Sequence, residues 1–270
     1  MEKAQLIFDR LWIDYLHQNP EAKSIYNLLV DAGETIVNDH IAIRTYDDPR
    51  ISIDVLAKPF LEVGYEYKGD YVFEQKKLVA KHYEHKSSRN APRIFISALQ
   101  TEQFSPFLQS TVAKLIDKIP AETLQSPNLI YSGNTCGTPV YDTYLKLKQE
   151  SEYAAWLYVF GFRANHFTVS INALKKYSDI HMLNQFLKDK GFLLNDSGGE
   201  VKGSPEELLE QSSTRAGKLD IQFVKGTFNI PSCYYEFAKR YPQASGKLYG
   251  GFIAKSADKI FESTDNLSDK

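Results

Sequence analysis

Residues 38–45, Asn-Asp-His-Ile-Ala-Ile-Arg-Thr, contain two side chains of the types that bind metals and anions. The alternation of this stretch predicts a strand on which His40, Ala42 and Arg44 share one face. Imidazole is a common metal ligand, and a guanidinium holds a carboxylate through two parallel hydrogen bonds. The stretch alone also fits a half-exposed strand with solvated polar side chains, which is the more common arrangement. A partner elsewhere in the chain is needed to favour a metal site.

The same pattern occurs again at residues 165–169. Residues 39–43 and 165–169 both read Asx-His-apolar-small-apolar. Each copy is followed by a predicted helix that ends at a glycine and then by a run of strands, which indicates an internal repeat of structure. Two strand-helix-three-strand units with curved sheets can enclose one cavity between them. This symmetry predicts that His40 and His166 lie close together.

Glu236, on a late strand of the second copy, is the candidate third ligand. It lies among aromatic residues, and burying a carboxylate is costly unless it is paired or bound to a cation. Two imidazoles and one carboxylate suit Fe(II) with open coordination positions, and they also suit catalytic zinc. The alternative for Glu236 is an ion pair with Lys239 or Arg240 at the end of its strand.

The composition excludes several classes of protein. The chain has 270 residues, 43% hydrophobic and 24% charged, with a formal net charge of −2, so it is long enough for one large domain or two small ones. No basic run suggests a nucleic-acid partner. No apolar run follows the N-terminus and no stretch reaches transmembrane length, so we expect a cytoplasmic protein without a membrane partner. Cys136 and Cys233 are too few for a disulfide scaffold or a thiolate metal cage.

Other catalytic patterns are missing or weak. No phosphate-binding glycine pattern and no dinucleotide-binding fingerprint follow a strand, and no Ser-His-Asp or Cys-His arrangement has supporting local context. His82 and His85 lie three apart on a predicted strand, so they face opposite sides and make a poor chelate.

The predicted fold is α+β, with two βαβββ-like units that have curved, mixed sheets around a metal cavity, plus peripheral helices. We expect one catalytic domain over residues 1–270. Its parts are a helical lead-in (1–35), a first repeat (38–100), a helical connector (101–152), a second repeat (153–241) and a C-terminal segment (242–270). Periodicity predicts helices at 3–17, 20–32, 51–62, 101–119, 140–150, 177–190 and 205–210. It predicts strands at 40–45, 65–68, 71–73, 78–84, 93–99, 165–172, 192–195, 218–225 and 232–237.

Four blocks together resemble the 2-oxoadipate dioxygenase/decarboxylase family: residues 38–44, 165–168, 230–240 and 251–263. The resemblance covers about residues 5 to 264, and Tyr-Tyr-Glu-Phe-Ala-Lys-Arg at 234–240 is among its most specific parts. It implies a vicinal-oxygen-chelate-like architecture with a non-haem Fe(II) centre. By that resemblance His40, His166 and Glu236 would bind the iron. Arg44 would bind a substrate carboxylate, and Ser256 would approach the substrate.

The resemblance also implies an activity. The expected reaction is the Fe(II)-dependent oxidation and decarboxylation of a 2-oxo dicarboxylic acid by O2, with 2-oxoadipate giving 2-hydroxyglutarate and carbon dioxide. Two alternatives stay open. One is a zinc or nickel lyase, isomerase or hydrolase on the same scaffold, and the other is a non-enzymatic module that sequesters a ligand. The sequence does not predict an oligomeric state.

Overall fold

A computed structural model describes residues 2–88 and 90–253 of the chain. The chain begins with helices α1 (Glu2–Gln18) and α2 (Pro20–Asp31). The break between them is local in origin, because the Asn19 side chain accepts a hydrogen bond from the Ala22 backbone at 3.2 Å. Pro20 follows, with the fixed φ that suits the first position of a helix. The predicted contact residue Ser256 lies outside the described residues.

Eight strands form one mixed sheet, and two more form a separate hairpin. The strands are β1 (Asn38–Tyr46), β2 (Tyr65–Phe73), β3 (Leu78–His85), β4 (Arg93–Leu99), β5 (Ala164–Ser170), β6 (Lys202–Ser204), β7 (Leu209–Ser213), β8 (Lys218–Phe223), β9 (Gly226–Pro231) and β10 (Glu236–Arg240). The order in the large sheet is β2-β3-β4-β1-β5-β10-β7-β6, and β8 pairs with β9 alone.

The remaining helices connect these strands. They are α3 (Ile53–Glu62), α4 (Pro106–Ile116), α5 (Ala121–Leu124), α6 (Tyr141–Glu150), α7 (Glu152–Phe160) and α8 (Ile180–Asp189), with short 3-10 helices at Thr101–Gln103, Pro127–Tyr131 and Ile171–Ala173. Among the described residues, no helix combines the length and the apolar composition needed to cross a membrane.

The predicted repeat is present in the pairing of the strands. In the first unit β1 lies parallel to β4, and β4 lies antiparallel to β3. In the second unit β5 lies parallel to β10, and β10 lies antiparallel to β7. The hairpin β8–β9 interrupts the second unit. The opening strands β1 and β5 pair antiparallel at the centre, with Ala42 opposite His166. The mixed α+β class with a curled half-barrel sheet is confirmed.

One face of the sheet packs against α1. The Trp12 ring centroid lies 4.9 Å from that of Phe167 and 6.0 Å from that of Tyr235. Burial of the Phe167 side chain contributes about 1.5–3 kcal/mol. Because side chains alternate along a strand, His166, which precedes Phe167 in β5, points to the opposite face, where Glu236 also lies. In β1 every residue from 39 to 46 is buried, so the half-exposed alternative for this strand is wrong.

Several predicted element boundaries are wrong. Residues 205–208 form a turn instead of a helix, and residue 209 begins β7. Pairing along β10 overrides the weak local helix pattern there. Residues 232–235 lie outside any strand, and β10 begins only at Glu236. The predicted strand at 192–195 is a single bridge between Leu194 and Thr214.

Two further predicted elements differ from the structure in their extent. The helix expected at 101–119 is a 3-10 turn followed by α4, because Ser105 caps a new helix start by accepting from the Leu108 backbone at 3.3 Å. The strands expected at 65–68 and 71–73 form one strand, β2, whose pairing with β3 has a register shift between Tyr67 and Gly69.

Candidate metal centre and its surroundings

His40, His166 and Glu236 converge on the sheet face opposite α1. The two imidazole Nε2 atoms lie 3.4 Å apart. His40 Nε2 lies 3.5 Å from Glu236 Oε1, and His166 Nε2 lies 3.2 Å from Glu236 Oε2. All three side chains are buried, and within residues 2–88 and 90–253 they are the one cluster of His, Cys, Asp and Glu that could hold a metal ion. The geometry brings together the three residues that the sequence analysis selected.

Each imidazole is oriented by the Asx residue that precedes it. His40 Nδ1 lies 2.9 Å from Asp39 Oδ1, and His166 Nδ1 lies 3.1 Å from Asn165 Oδ1. With the Nδ1–H donated to these oxygens, Nε2 carries the lone pair that a metal needs. Burial lowers the pKa of both imidazoles, which keeps them neutral. This pairing explains why the Asx-His pattern occurs twice.

Asp39 is itself held by Arg240. The guanidinium donates to both carboxylate oxygens, with Nε at 2.7 Å from Oδ2 and Nη2 at 2.8 Å from Oδ1. Although burial opposes ionisation, Arg240 keeps the pKa of Asp39 well below its usual range. Since Arg240 pairs with Asp39 and Lys239 lies 3.6 Å from Asp179, the alternative of an ion pair from Glu236 to Lys239 or Arg240 is wrong.

The surroundings of Glu236 fit a carboxylate that binds a cation. Its Oε1 accepts a hydrogen bond from Gln211 Nε2 at 2.5 Å, and the residue is 1% exposed. Burial raises the pKa of Glu236 to about 8 in the metal-free protein. A buried carboxylate facing two neutral imidazoles is stabilised by a bound divalent cation, so the donor set fits a metal of the Fe(II) or Zn(II) type.

Arg44 lies further along β1 on the same face. Its Nη1 donates to Glu152 Oε1 at 3.3 Å, and its guanidinium lies over the rings of Tyr153 and Trp156 at 4.8 and 5.2 Å. The Tyr153 hydroxyl accepts a hydrogen bond from the Thr45 backbone N–H, with the two heavy atoms 3.1 Å apart. This bond fixes α7 against β1 beside Arg44. Although burial opposes the charge, Glu152 raises the pKa of Arg44 above its ordinary value.

Aromatic rings flank both imidazoles. Tyr234 stacks on His166, with ring centroids 4.7 Å apart and an angle of 27° between the planes. Phe252 meets His40 edge-on at 4.9 Å, and its backbone nitrogen donates to the Tyr71 hydroxyl at 3.1 Å. These rings separate the donor atoms from bulk water, which strengthens electrostatic interactions inside the site.

The sequence analysis missed some of the residues that contact the candidate metal ligands. It did not select Gln211, because the strand that carries it had been predicted in part as a helix. It found the Asx before each histidine as a pattern but gave it no role.

The half-barrel and its buried 2-His-1-carboxylate cluster define the class, which is a vicinal-oxygen-chelate-like scaffold with a candidate mononuclear metal centre. The comparisons name the family. The model of the 2-oxoadipate dioxygenase/decarboxylase family matches residues 12–130 and 132–249. The chain belongs to this family, which is a family of enzymes.

Individual relatives agree with that assignment. The chloroplastic 2-oxoadipate dioxygenase/decarboxylase of Arabidopsis thaliana is 35% identical over 93% of this chain and 74% of its own length. The hydroxyglutarate synthase of Oryza sativa, solved with 2-oxoadipate, is 34% identical, with a TM-score of 0.92 over 98% of this chain and 94% of that one.

Two further solved structures share the fold. A Shewanella frigidimarina protein, described only provisionally as a hydrolase, is 51% identical, with a TM-score of 0.88 over 93% of this chain and 98% of that one. A Ralstonia eutropha protein, assigned provisionally to the glyoxalase superfamily, has a TM-score of 0.78 over 93% of this chain and 86% of that one. At 20% identity the second likeness concerns the fold alone.

Proposed function

We propose that this protein is an Fe(II)-dependent dioxygenase/decarboxylase of 2-oxo dicarboxylic acids. The proposed reaction converts 2-oxoadipate and O2 into 2-hydroxyglutarate and carbon dioxide. The observation that carries the proposal is the convergence of His40, His166 and Glu236, with their donor atoms 3.2–3.5 Å apart in a buried site. The matching family supplies the substrate class. Since the donors come from both repeats, the proposal treats residues 1–270 as one catalytic domain.

In this proposal His40 Nε2, His166 Nε2 and one Glu236 oxygen hold the iron. Bound Fe(II) supplies Lewis acidity toward the 2-oxo acid and electrons for the reduction of dioxygen. Asp39 and Asn165 keep each imidazole in the tautomer that presents Nε2. Two neutral imidazoles and one carboxylate leave positions open for substrate and oxygen. Burial of all three donors excludes water from the reacting atoms.

Arg44 is the proposed partner of the substrate carboxylate that lies away from the metal. Its planar guanidinium can form two parallel hydrogen bonds to a carboxylate, which a lysine cannot. Glu152 and the rings of Tyr153 and Trp156 hold it in place. Ser256 is a second proposed substrate contact, and it rests on the resemblance in sequence alone.

A different metal-dependent activity is the main rival, because the donor set also suits zinc and one relative is provisionally described as a hydrolase. A screen of 2-oxo acids with four to seven carbons, read by oxygen uptake of the Fe(II)-loaded protein, separates the two. We expect uptake to be fastest with the six-carbon diacid. A pure binding module would retain ligand affinity in His40→Ala and Glu236→Ala, whereas the proposed enzyme would not.

A further inference from the structure

Tyr234 carries a buried hydroxyl group. The residue is 0% exposed, and within the described part of the chain no donor or acceptor reaches its Oη atom. Buried hydroxyl groups in folded proteins are almost always hydrogen-bonded, because leaving one unpaired is unfavourable. A buried unpaired hydroxyl therefore calls for an explanation such as a ligand that pairs with it.

The aromatic ring of Tyr234 lies beside the candidate metal centre. The ring stacks on the His166 imidazole, with centroids 4.7 Å apart, so the Tyr234 side chain lies on the sheet face that carries the candidate metal ligands. The Tyr15 hydroxyl donates to the Tyr234 carbonyl at 2.6 Å and fixes the backbone.

The next residue provides an internal comparison. Tyr235 is also 0% exposed, and its hydroxyl also has no partner in the described part of the chain. Its ring, however, packs between Trp12 and Phe237, with centroids 6.0 and 5.4 Å away, on the helix side of the sheet. The two tyrosines therefore match in burial and differ in the face that they occupy.

We infer that the Tyr234 hydroxyl donates a hydrogen bond to an oxygen of the bound 2-oxo acid. This inference rests on the proposed function, because it requires the acid to bind between the metal centre and Arg44. Tyr234 is then a substrate-binding residue additional to Arg44. Its hydroxyl, which has no partner within residues 2–88 and 90–253, gains one when the acid binds. Tyr235 has no such role, because its side chain faces α1.

The test uses the full chain loaded with Co(II), without oxygen, so that binding is measured apart from turnover. Calorimetric titration with 2-oxoadipate compares the parent with Tyr234→Phe and Tyr235→Phe. We expect Tyr234→Phe to lower the affinity at least about 10-fold, the typical value of a hydrogen bond to a charged group. Tyr235→Phe should stay within about 2-fold of the parent, since its hydroxyl makes no hydrogen bond to any residue that the structure describes.

Two further readouts separate substrate binding from a structural role. Co(II) affinity should be unchanged in Tyr234→Phe, because the ring that stacks on His166 is retained. The metal-free variant should melt at or above the temperature of the parent, because the substitution removes an unpaired buried hydroxyl. A structural role for the hydroxyl requires a lower melting temperature.

The outcomes are distinct. Parent affinity for 2-oxoadipate in Tyr234→Phe overturns the inference, and so does a loss that is accompanied by weaker Co(II) binding or a lower melting temperature. An equal loss in Tyr235→Phe overturns it as well. Failure of the Co(II)-loaded parent to bind the acid overturns the proposed function together with the inference.

Discussion

The Nε2 atoms of His40 and His166 lie 3.4 Å apart, although 126 positions separate the two residues along the chain. The antiparallel pairing of β1 with β5 causes this, because it places Ala42 opposite His166 at the centre of the sheet. Each structural repeat contributes one imidazole, and the second also contributes Glu236 from β10. The candidate centre therefore forms only when both repeats have folded against each other.

The first prediction concerns the proposed metal ligands. Glu236→Ala and His166→Ala should each lower Fe(II) affinity by more than about 100-fold, beyond the 10–100-fold that changes in outer-shell partners cost. The reason is that each removes one of three donor atoms. Metal analysis of anaerobically purified protein and calorimetry with Fe(II) measure the effect.

His82→Gln is the matched control for these variants. His82 is buried on the sheet, but its Nδ1 lies 2.9 Å from the Tyr71 hydroxyl, and it is not one of the converging donors. Its variant should retain the metal. Stoichiometric Fe(II) in Glu236→Ala, or equal losses in His82→Gln, would show that the metal lies elsewhere.

The second prediction concerns Arg44. Arg44→Lys should raise the KM for 2-oxoadipate by about 10-fold or more, because the ammonium lacks the fork that holds a carboxylate by two bonds. The KM for 2-oxohexanoate, which has no distal carboxylate, should change much less. Steady-state oxygen uptake with both acids provides the comparison, with the surface variant Arg50→Lys as control. An unchanged preference for the diacid would refute the role of Arg44.

The third prediction concerns the charge that holds Asp39. Arg240→Gln should lower Fe(II) affinity by about 10–100-fold, because Asp39 orients His40. It should also reduce the free energy of unfolding by about 3–5 kcal/mol, since it leaves a buried carboxylate without its main partner. Arg93 is the comparison, as it makes one longer contact to Asp39, at 3.3 Å, and is partly exposed.

Arg93→Gln should cost about 1 kcal/mol or less, the range of a partly exposed pair. Urea unfolding and metal titration of both variants measure these effects. Equal losses in the two variants would contradict a dominant contribution of Arg240.

The fourth prediction concerns stability and pH. The Glu34 carboxylate accepts backbone hydrogen bonds from Lys175, Lys176 and Tyr177 at 2.7, 2.7 and 3.0 Å. Burial raises its pKa, but the three donors together lower it below the ordinary value of 4.5. A lowered pKa in the folded state stabilises the protein above the unfolded pKa, and this contribution is lost as the pH falls through the folded value.

Glu34→Gln should therefore reduce the free energy of unfolding by about 1–3 kcal/mol at pH 7, with a smaller difference from the parent below pH 4. Urea unfolding at pH 7 and below pH 4 measures the difference in the free energy of unfolding between variant and parent. Glu62→Gln, at an exposed position, is the control. A difference that grows toward acid pH would contradict the assigned sign.

The candidate metal ligands can be predicted from the sequence more readily than the residues that surround them. The Asx-His pattern occurs twice in the sequence, so His40 and His166 can be selected as a pair without knowledge of the fold. The Asp39–Arg240 pair spans 201 positions and depends on how β10 and β1 approach across the sheet. Gln211 was missed for a related reason, since β7 owes its conformation to pairing with β10 and not to its own periodicity. Strand pairing between distant parts of the chain therefore determines both the Asp39–Arg240 contact and the position of Gln211.

The most direct test of the central claim is the stoichiometry of oxygen use. Protein purified without oxygen and loaded with Fe(II) is mixed with 2-oxoadipate, and O2 uptake, carbon dioxide and 2-hydroxyglutarate are measured together. The proposal requires one O2 consumed and one carbon dioxide released for each 2-hydroxyglutarate formed, with no reaction in the Zn(II)-loaded protein. Absence of oxygen uptake by the Fe(II)-loaded protein, or equal turnover with Zn(II), would contradict it.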